Sequence, residues 1–368
     1  MSWLSSHEMS ERFASDAHLA AREGDRHRAL ALFRRAAEAE SKALEELDPS
    51  KSRTLGITAV SAISLWFKAD ELLEAERAAM RWLASDRLPS FAVGQLRQLV
   101  QSIWTSQAMR DAGVSFLPGQ VIVSVKGGQT VVGGAPLDLI IEKVEAVQAL
   151  FYRTIEYLKG VPHRQRGGPA QEIREACRPW LFQTQPGSYQ FSVALQEPRQ
   201  PDFFKETGPH PEQVAEHFIS VLKATSEDPV GLLPELVPAE DYRSTFLKLA
   251  RNLAPTEKSF GAVEVWDSRE TSPVILIPAT RTTINSALRP ITTGGAEAPE
   301  VQELHGVLRA LHLDKDWLEL WIEGRLVRVS GLAEAVDDVI GPMVNRKVVV
   351  QIQRHGRRLD FFDIEVEE

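Results

Sequence analysis

The loop VPHRQRGGP, residues 161–169, carries the clearest anion-binding chemistry of the chain. It places His163, Arg164 and Arg166 directly before Gly167 and Gly168, and a predicted helix follows. Guanidinium forks and free backbone N–H groups at the start of a helix bind carboxylates and phosphates. The alternative is a solvated connector between two helices, in which the glycines supply only flexibility. An anion site here would make the protein an enzyme or a sensor of a phosphorylated ligand.

Two glycine pairs, Gly127-Gly128 and Gly133-Gly134, could form a phosphate-binding loop. The spacing from Gly128 to Gly133 matches a Walker loop, but Gly134 and Ala135 stand where that loop needs Lys and then Ser or Thr. The pairs are therefore interpreted as turns. We expect the first pair to form a hairpin between VIVSV and QTVV, because glycine supplies the positive φ of such turns.

No complete catalytic or metal-binding constellation is present in the sequence. Cys177 is the only cysteine, and it falls within a predicted helix over PAQEIREACRPWL, where a free thiol is usually a small buried hydrophobe. The histidines are scattered, and HExxH and GxSxG motifs are absent. The sequence therefore favours a non-enzymatic protein with no cofactor and no metal.

A basic cluster near the end of the chain could contact nucleic acid. Its residues surround two predicted turns and precede Phe361 and Phe362; they are Arg346, Lys347, Arg354, Arg357 and Arg358. A basic rim with exposed aromatic rings is how OB-type barrels hold single strands. The alternative is an ordinary hairpin tip, since neighbouring carboxylates such as Asp360 and Asp363 offset the charge.

The overall composition is that of an acidic globular protein. The chain has 368 residues, 43% hydrophobic and 25% charged, with a formal net charge of −9. This balance argues against a general polyanion binder, because sequence-independent affinity for nucleic acid comes from clustered Lys and Arg. No apolar run is long enough to span a membrane, the start does not resemble a signal peptide, and one cysteine suits a reducing compartment. We expect a cytoplasmic protein without membrane contact.

Residues 1–112 are predicted to be helical, because Ala, Leu, Glu and Arg dominate and Gly24-Asp25 breaks the pattern between two helices. Relative to that turn, Gly24, Ala29, Phe33 and Ala36 stand where a tetratricopeptide repeat places its small and aromatic packing residues, so this segment resembles such repeats. A second hairpin with looser agreement is predicted before Pro89. The resemblance implies a surface that binds peptides or proteins, and we assign it to Arg22, Arg26, Arg28 and Trp66; the alternative is a helical bundle that only packs.

The rest of the chain predicts two further domains, an α+β domain over 113–256 and a mostly β domain over 257–368. Short β-branched segments and periodic helices alternate in the first. Residues 301–368 contain five strand patterns with one short helix before the last two, which predicts a small SH3-like or OB-like barrel. Apolar residues such as Trp317, Leu320 and Leu326 are expected inside it.

The sequence favours one function and leaves two others open. The favoured function is an adaptor or regulatory protein that binds a protein partner through its helical N-terminal surface. The first alternative is a nucleic-acid-associated factor that uses the basic rim of the barrel. The second is an enzyme or sensor with an anion at the 161–169 loop.

Overall fold

The computed structural model places most of the chain in two compact units, one formed by the first five helices and one by the later elements. No helix in the described part of the chain combines the length and apolar character that a membrane span requires. The residues described are 3–111, 120–131, 134–183, 189–196, 212–267, 272–292, 301–332, 336–356 and 358–367.

The first unit is a series of antiparallel helices with short turns. Gly24 has a φ of 81°, and Asp25 caps the second helix by accepting a hydrogen bond from the Arg28 N–H at 3.0 Å. Each later helix starts within a few residues of the end of the one before. The helices are α1 (Trp3–Arg22), α2 (Arg26–Glu46), α3 (Ser52–Lys68), α4 (Leu72–Leu83) and α5 (Ser90–Asp111).

Small residues let these helices approach closely. Ala17, Ala29 and Ala36 are buried with Phe33 between α1 and α2, as the repeat-like spacing predicted. Consecutive helices pack against each other, α1 on α2 and α2 on α3. The helical hairpins are therefore confirmed, while membership of the tetratricopeptide class stays a prediction.

The second unit contains an antiparallel five-stranded sheet in the order β2-β3-β1-β4-β5. The central strand β1 pairs antiparallel with β3 and β4, and β4 pairs antiparallel with β5. The buried apolar side chains of β1 and β4 are valines, which suit a packed pleated surface. The strands are β1 (Val121–Lys126), β2 (Pro179–Gln183), β3 (Gln190–Leu195), β4 (Ala262–Asp267) and β5 (Val274–Leu276).

Helices with apolar stripes pack in the core beside this sheet. Phe151 of the first of these helices stacks on Phe218, and Tyr157 of the same helix contacts Phe246. Gly160 follows that helix with a φ of 64°, as its predicted end requires. The helices are α6 (Leu137–Leu158), α7 (Gln171–Ala176), α8 (Glu212–Glu227), α9 (Leu232–Leu236), α10 (Glu240–Leu253) and α11 (Pro278–Thr292).

Two local predictions for this unit are wrong, and one helix was missed. The helix predicted through Cys177 ends at Ala176, and Pro179 begins strand β2 instead. Gly127 and Gly128 do have positive φ, but the strand before them pairs with β3 and β4 and not with QTVV. Helix α11 was not predicted. Gly133 lies outside the described residues.

The chain ends in a closed barrel in the order β10-β8-β7-β6-β9. Strands β8 and β10 pair in parallel, whereas the other four pairings are antiparallel. A π-helical turn (Val336–Ile340) and a 3-10 turn (Gly341–Met343) lie between β8 and β9, where a short helix was predicted. The strands are β6 (Gln302–His312), β7 (Trp317–Ile322), β8 (Arg325–Ser330), β9 (Lys347–His355) and β10 (Arg358–Val366).

Elements on either side of residue 256 pack together in the second unit. Strand β4 lies beyond that residue and pairs with β1, and the sheet and barrel belong to one compact unit. The three-domain division stays a prediction about the sequence. The mixed α+β class and the C-terminal five-stranded barrel are confirmed.

Candidate functional site

The 161–169 loop forms ion pairs and a hydrogen bond with carboxylates of the same chain. The Arg164 guanidinium lies 2.9 Å from the Glu156 carboxylate and 3.0 Å from that of Asp338, and Arg166 lies 3.0 Å from Asp316. The Gly167 N–H donates to Asp337. His163 shares a 2.8 Å hydrogen bond with the Thr245 hydroxyl, and Gly168 is exposed.

A buried arginine, Arg153, shares the carboxylate of Asp338 with this loop. Arg153 is fully buried on α6 and its Nε donates to Asp338 at 2.7 Å, so Asp338 receives Arg153 and Arg164 together. The cations that the sequence offered to an external anion are therefore already compensated by Glu156, Asp316 and Asp338. This arrangement favours a structural role for the loop, and the anion site stays a prediction.

The basic residues of the barrel do not form one cluster. Arg346 and Lys347 lie at the start of β9, where Arg346 pairs with Glu142 at 2.6 Å, while Arg354 lies at the far end of that strand. Seven residues of extended chain separate Lys347 from Arg354 by about 23 Å. Arg358 pairs with Asp360 at 2.6 Å, and Arg357 lies outside the described residues.

The outer face of β6, β7 and β8 carries an aromatic surface that the sequence interpretation missed. Trp317 and Trp321 lie on the outside of β7, so Trp317 was wrongly expected inside the barrel. Leu326 was also wrongly expected inside the barrel. It lies directly opposite Trp321 on the outer face, where Leu326 is 56% exposed and Trp321 is 44% exposed. The pattern WLELW could have revealed this, because tryptophans four residues apart share a face that the two leucines do not.

Trp317 anchors one end of this outer face. The Arg328 guanidinium lies 4.2 Å from the centroid of its indole ring, and the His312 ring lies 5.2 Å away on the other side. Glu319 holds Arg328 in place at 2.7 Å. We call Trp317, Trp321, Leu326 and Arg328 the tryptophan face.

A separate cleft of about 480 Å³ lies where α6 and the turn after α10 meet the barrel. Its size suits a small molecule, and clefts between packed substructures are common ligand sites. Acidic and basic side chains line it in equal number: Asp138, Glu142, Glu145, Asp338 and Glu367, and Lys143, Lys258, Arg281, Arg346 and Lys347. Arg346 and Lys347 thus belong to this cleft.

Lys143 is the most unusual group of the cleft, because it is only 3% exposed. Its Nζ donates to the backbone oxygen of Asn252 at 2.9 Å and to that of Ala254 at 3.2 Å. These oxygens end α10, where carbonyls have no partners inside the helix. Burial lowers the pKa of Lys143 to about 7, and Arg281 contributes in the same direction.

Cys177 has no catalytic environment. Burial raises the pKa of its thiol, whereas a nucleophilic cysteine needs a lowered one. No group of three or more potential metal ligands occurs in the part of the chain that the structure describes.

The N-terminal residues assigned to partner binding divide into two kinds. Arg22, Arg26 and Arg28 are exposed on α1 and α2. Trp66 is half-buried, and its indole N–H donates to the Ser41 hydroxyl at 3.0 Å, so it packs α3 on α2. A groove of about 510 Å³ lies among α2, α3 and α4, lined by Leu44, Leu47, Ile63, Arg81, Trp82 and Arg87.

Comparison with known proteins gives no family for the chain. No protein-family model matches it, no curated protein matches it, and no solved structure matches it. The class of protein is therefore stated by architecture alone: helical hairpins, an antiparallel sheet with packed helices, and a closed five-stranded barrel.

Proposed function

We infer that the C-terminal barrel is of the OB type. Counted within the barrel, its strands follow the closed order one-two-three-five-four, with the third and fifth strands parallel. The helical turns lie between the third and fourth strands. These features support an OB-type Greek key, because a simple meander would keep the fourth strand beside the third.

We propose that this barrel binds single-stranded nucleic acid on the tryptophan face. OB-type barrels bind oligonucleotides through the faces of their second and third strands, which here are β7 and β8. Trp321 and Leu326 supply exposed apolar area there, and Trp317 with Arg328 supplies a second flat surface. The observation that carries the proposal is the placement of both tryptophans on one outer face.

The charges near this face predict a modest electrostatic contribution. Lys347 lies in the same cross-strand row as Trp321, across Val307, and Arg354 and Arg358 flank the loop between β9 and β10. Arg328 and Arg358 already have carboxylate partners. With two or three phosphates neutralised, the slope of log affinity against log salt is about −1.4 to −2.1 for a single strand.

The test measures binding of full-length protein to labelled oligo(dT) and oligo(U) by fluorescence anisotropy. Trp321→Ala is expected to weaken binding about 5- to 150-fold, because stacking on one aromatic ring contributes ~1–3 kcal/mol. Trp104→Ala is the matched control, since Trp104 is 43% exposed but lies on α5. It should leave the affinity unchanged.

Two outcomes contradict the proposal. One is an absence of binding by the wild-type protein at low salt, where phosphate contacts are strongest. The other is binding that Trp104→Ala weakens as much as Trp321→Ala does. Binding that only the barrel variant loses, with the shallow salt slope given above, supports it.

A second candidate function is recognition of a protein partner by the helical unit, and the groove among α2, α3 and α4 favours it. Trp82 gives the groove an aromatic wall, and Arg81 and Arg87 make its rim basic, which suits an acidic segment. Arg81→Glu with Arg87→Glu should abolish retention of a specific partner by the full-length protein. Arg77→Glu, a single charge reversal on α4 outside the groove lining, should not; equal loss in both variants would exclude the groove.

A further inference from the structure

The two hydrogen bonds of Lys143 use every N–H donor of a neutral amine. A neutral amine has two N–H donors and one lone pair, whereas an ammonium has three donors and no lone pair. Two acceptors surround Nζ, the backbone oxygens of Asn252 and Ala254. A neutral amine would donate both N–H groups to these oxygens and keep its lone pair unused.

The surroundings of Lys143 also favour its neutral form, because they lower the pKa of the amine. Its side chain is buried, and burial disfavours the charged form of a lysine. Arg281 and Arg346 face it from α11 and from the start of β9, and both lower its pKa, while Glu142 on its own helix raises it. At neutral pH about half of the Lys143 amines are uncharged, against about one in 2500 for a lysine of ordinary pKa near 10.4.

We propose that Lys143 is a nucleophilic amine and that the cleft binds a small anionic aldehyde or ketone which condenses with it. The cleft volume of about 480 Å³ suits a small ligand. Lys258 and Lys347 line the same cleft and provide positive charge for the carboxylate or phosphate of the ligand, whereas Arg281 pairs with Glu365 at 3.1 Å. The carbonyl carbon would face the lone pair of Nζ.

The condensation is balanced without any oxidant or metal. The Nζ lone pair forms a bond to the carbonyl carbon while the C–O π bond breaks, and one amine hydrogen moves to oxygen. Loss of that oxygen with the second amine hydrogen releases one water and leaves an imine. A proton taken up by the imine restores one N–H, which can again donate to the oxygen of Asn252 or Ala254. Arg281 also donates to the Ala254 oxygen, so the end of α10 keeps a partner during the reaction.

The experiment traps the imine in wild-type protein at about pH 7 with glyoxylate and cyanoborohydride, followed by peptide mapping for carboxymethylated lysine. Lys258 is the internal control, because it is exposed and lines the same cleft. Lys143 is expected to react at least about tenfold faster than Lys258, a conservative part of the roughly 10³-fold difference in neutral fraction. Its labelling should saturate with glyoxylate concentration, and acetaldehyde, which has no anionic group, should label it more slowly.

Three results would overturn the proposal. The first is reaction at Lys258 with none at Lys143. The second is labelling of Lys143 that rises linearly with glyoxylate without saturation, which would indicate no binding site. The third is equal labelling by acetaldehyde and glyoxylate, which would exclude an anion subsite. Lys143→Arg, checked for native circular dichroism, should lose the saturable labelling; because wild-type mapping carries the test, the outcome does not depend on that variant folding.

Discussion

Asp363→Asn is expected to destabilise the second unit strongly, because Asp363 is the main partner of a fully buried arginine. Arg251 of α10 bonds both carboxylate oxygens of Asp363 in β10, at 2.6 and 3.1 Å. The same guanidinium donates to the Ile364 oxygen and to Asn285, both at 2.8 Å. This contact joins the helices around the sheet to the last strand of the barrel.

The magnitude follows from what remains after the substitution. Removing one partner of a buried ion pair typically costs about 3–5 kcal/mol, because the other charge stays buried without compensation. Glu365 lies 3.5 Å from Arg251 and would keep part of that compensation. The expected loss in free energy of unfolding is therefore near the lower limit, about 3 kcal/mol.

A double substitution separates the ion pair from simple packing. In Arg251→Met with Asp363→Leu, both charges are removed together, and apolar side chains of similar size replace them. Such replacements are often neutral, although the Ile364 oxygen and Asn285 would each lose a donor here. The double variant should recover at least half of the loss caused by Asp363→Asn.

The pH dependence has a definite sign. Burial raises the pKa of Asp363, but the charge and hydrogen bonds of Arg251, the charge of Lys248 and the Ile364 backbone N–H together outweigh it, so the net direction is down. A carboxyl group with a lowered pKa in the folded state contributes stability above its unfolded pKa of about 3.9 and loses it as pH falls through the folded value. The difference between wild type and Asp363→Asn should therefore persist from neutral pH to about pH 4 and shrink below it.

Urea unfolding measures both effects. With a slope of about 3 kcal/mol per molar urea, a loss of about 3 kcal/mol moves the midpoint of the second unit down by about 1 M. The transition of the first unit should not move, since Arg251 and Asp363 lie in the second. A shift below about 0.3 M at neutral pH, or a double variant less stable than Asp363→Asn, would refute the reasoning.

Two further expectations concern a glycine and the thiol. Gly128→Ala should lower the free energy of unfolding about 1–3 kcal/mol more than Gly160→Ala does, as measured by urea titration. Both glycines have a positive φ, but only at Gly128 would a Cβ overlap a backbone atom, the carbonyl oxygen of Ser259. Equal losses in the two variants would contradict this. Cys177 should react with a thiol reagent at least about 100-fold more slowly in the folded protein than in urea, because it is buried and burial raises its pKa; similar rates would show that the site is open.

Local sequence patterns predicted the elements that local physics determines. The alanine spacing around Gly24 predicted the α1–α2 hairpin, since small residues on facing helices permit close approach. The apolar period of three and four predicted α6 to within two residues at each end. The five barrel strands and the helical turn before β9 also follow from alternation and turn residues. None of these elements depends on distant parts of the chain for its identity.

The order of strands in the sheet, and the face of each strand that points inward, were harder to predict from the sequence. Strand β1 was expected to pair with its neighbour in sequence, yet its partners are β3 and β4, which come some 65 and 140 residues later. Local alternation says which residues share a face, but it does not say which face is inside. Trp317 was placed inside with Leu320 although the two have opposite parity, and applying parity strictly would have placed the tryptophans outside.

The arginines of the chain show why charge in a sequence does not identify a binding site. Arg164 and Arg166 lie in a glycine loop that suits an anion, but their carboxylates come from Asp338 and Asp316, about 175 and 150 residues away. Lys143 is the opposite case, because its position in a helical pattern did not indicate a site. In the fold it is buried, and two backbone oxygens at the end of α10 accept its hydrogen bonds. The fold pairs the loop cations with carboxylates and lowers the pKa of this buried amine to about 7. A basic residue is therefore a better candidate for ligand binding when the fold supplies no carboxylate partner for it. For this reason we would test the Lys143 cleft and the tryptophan face for ligands before the arginine loop.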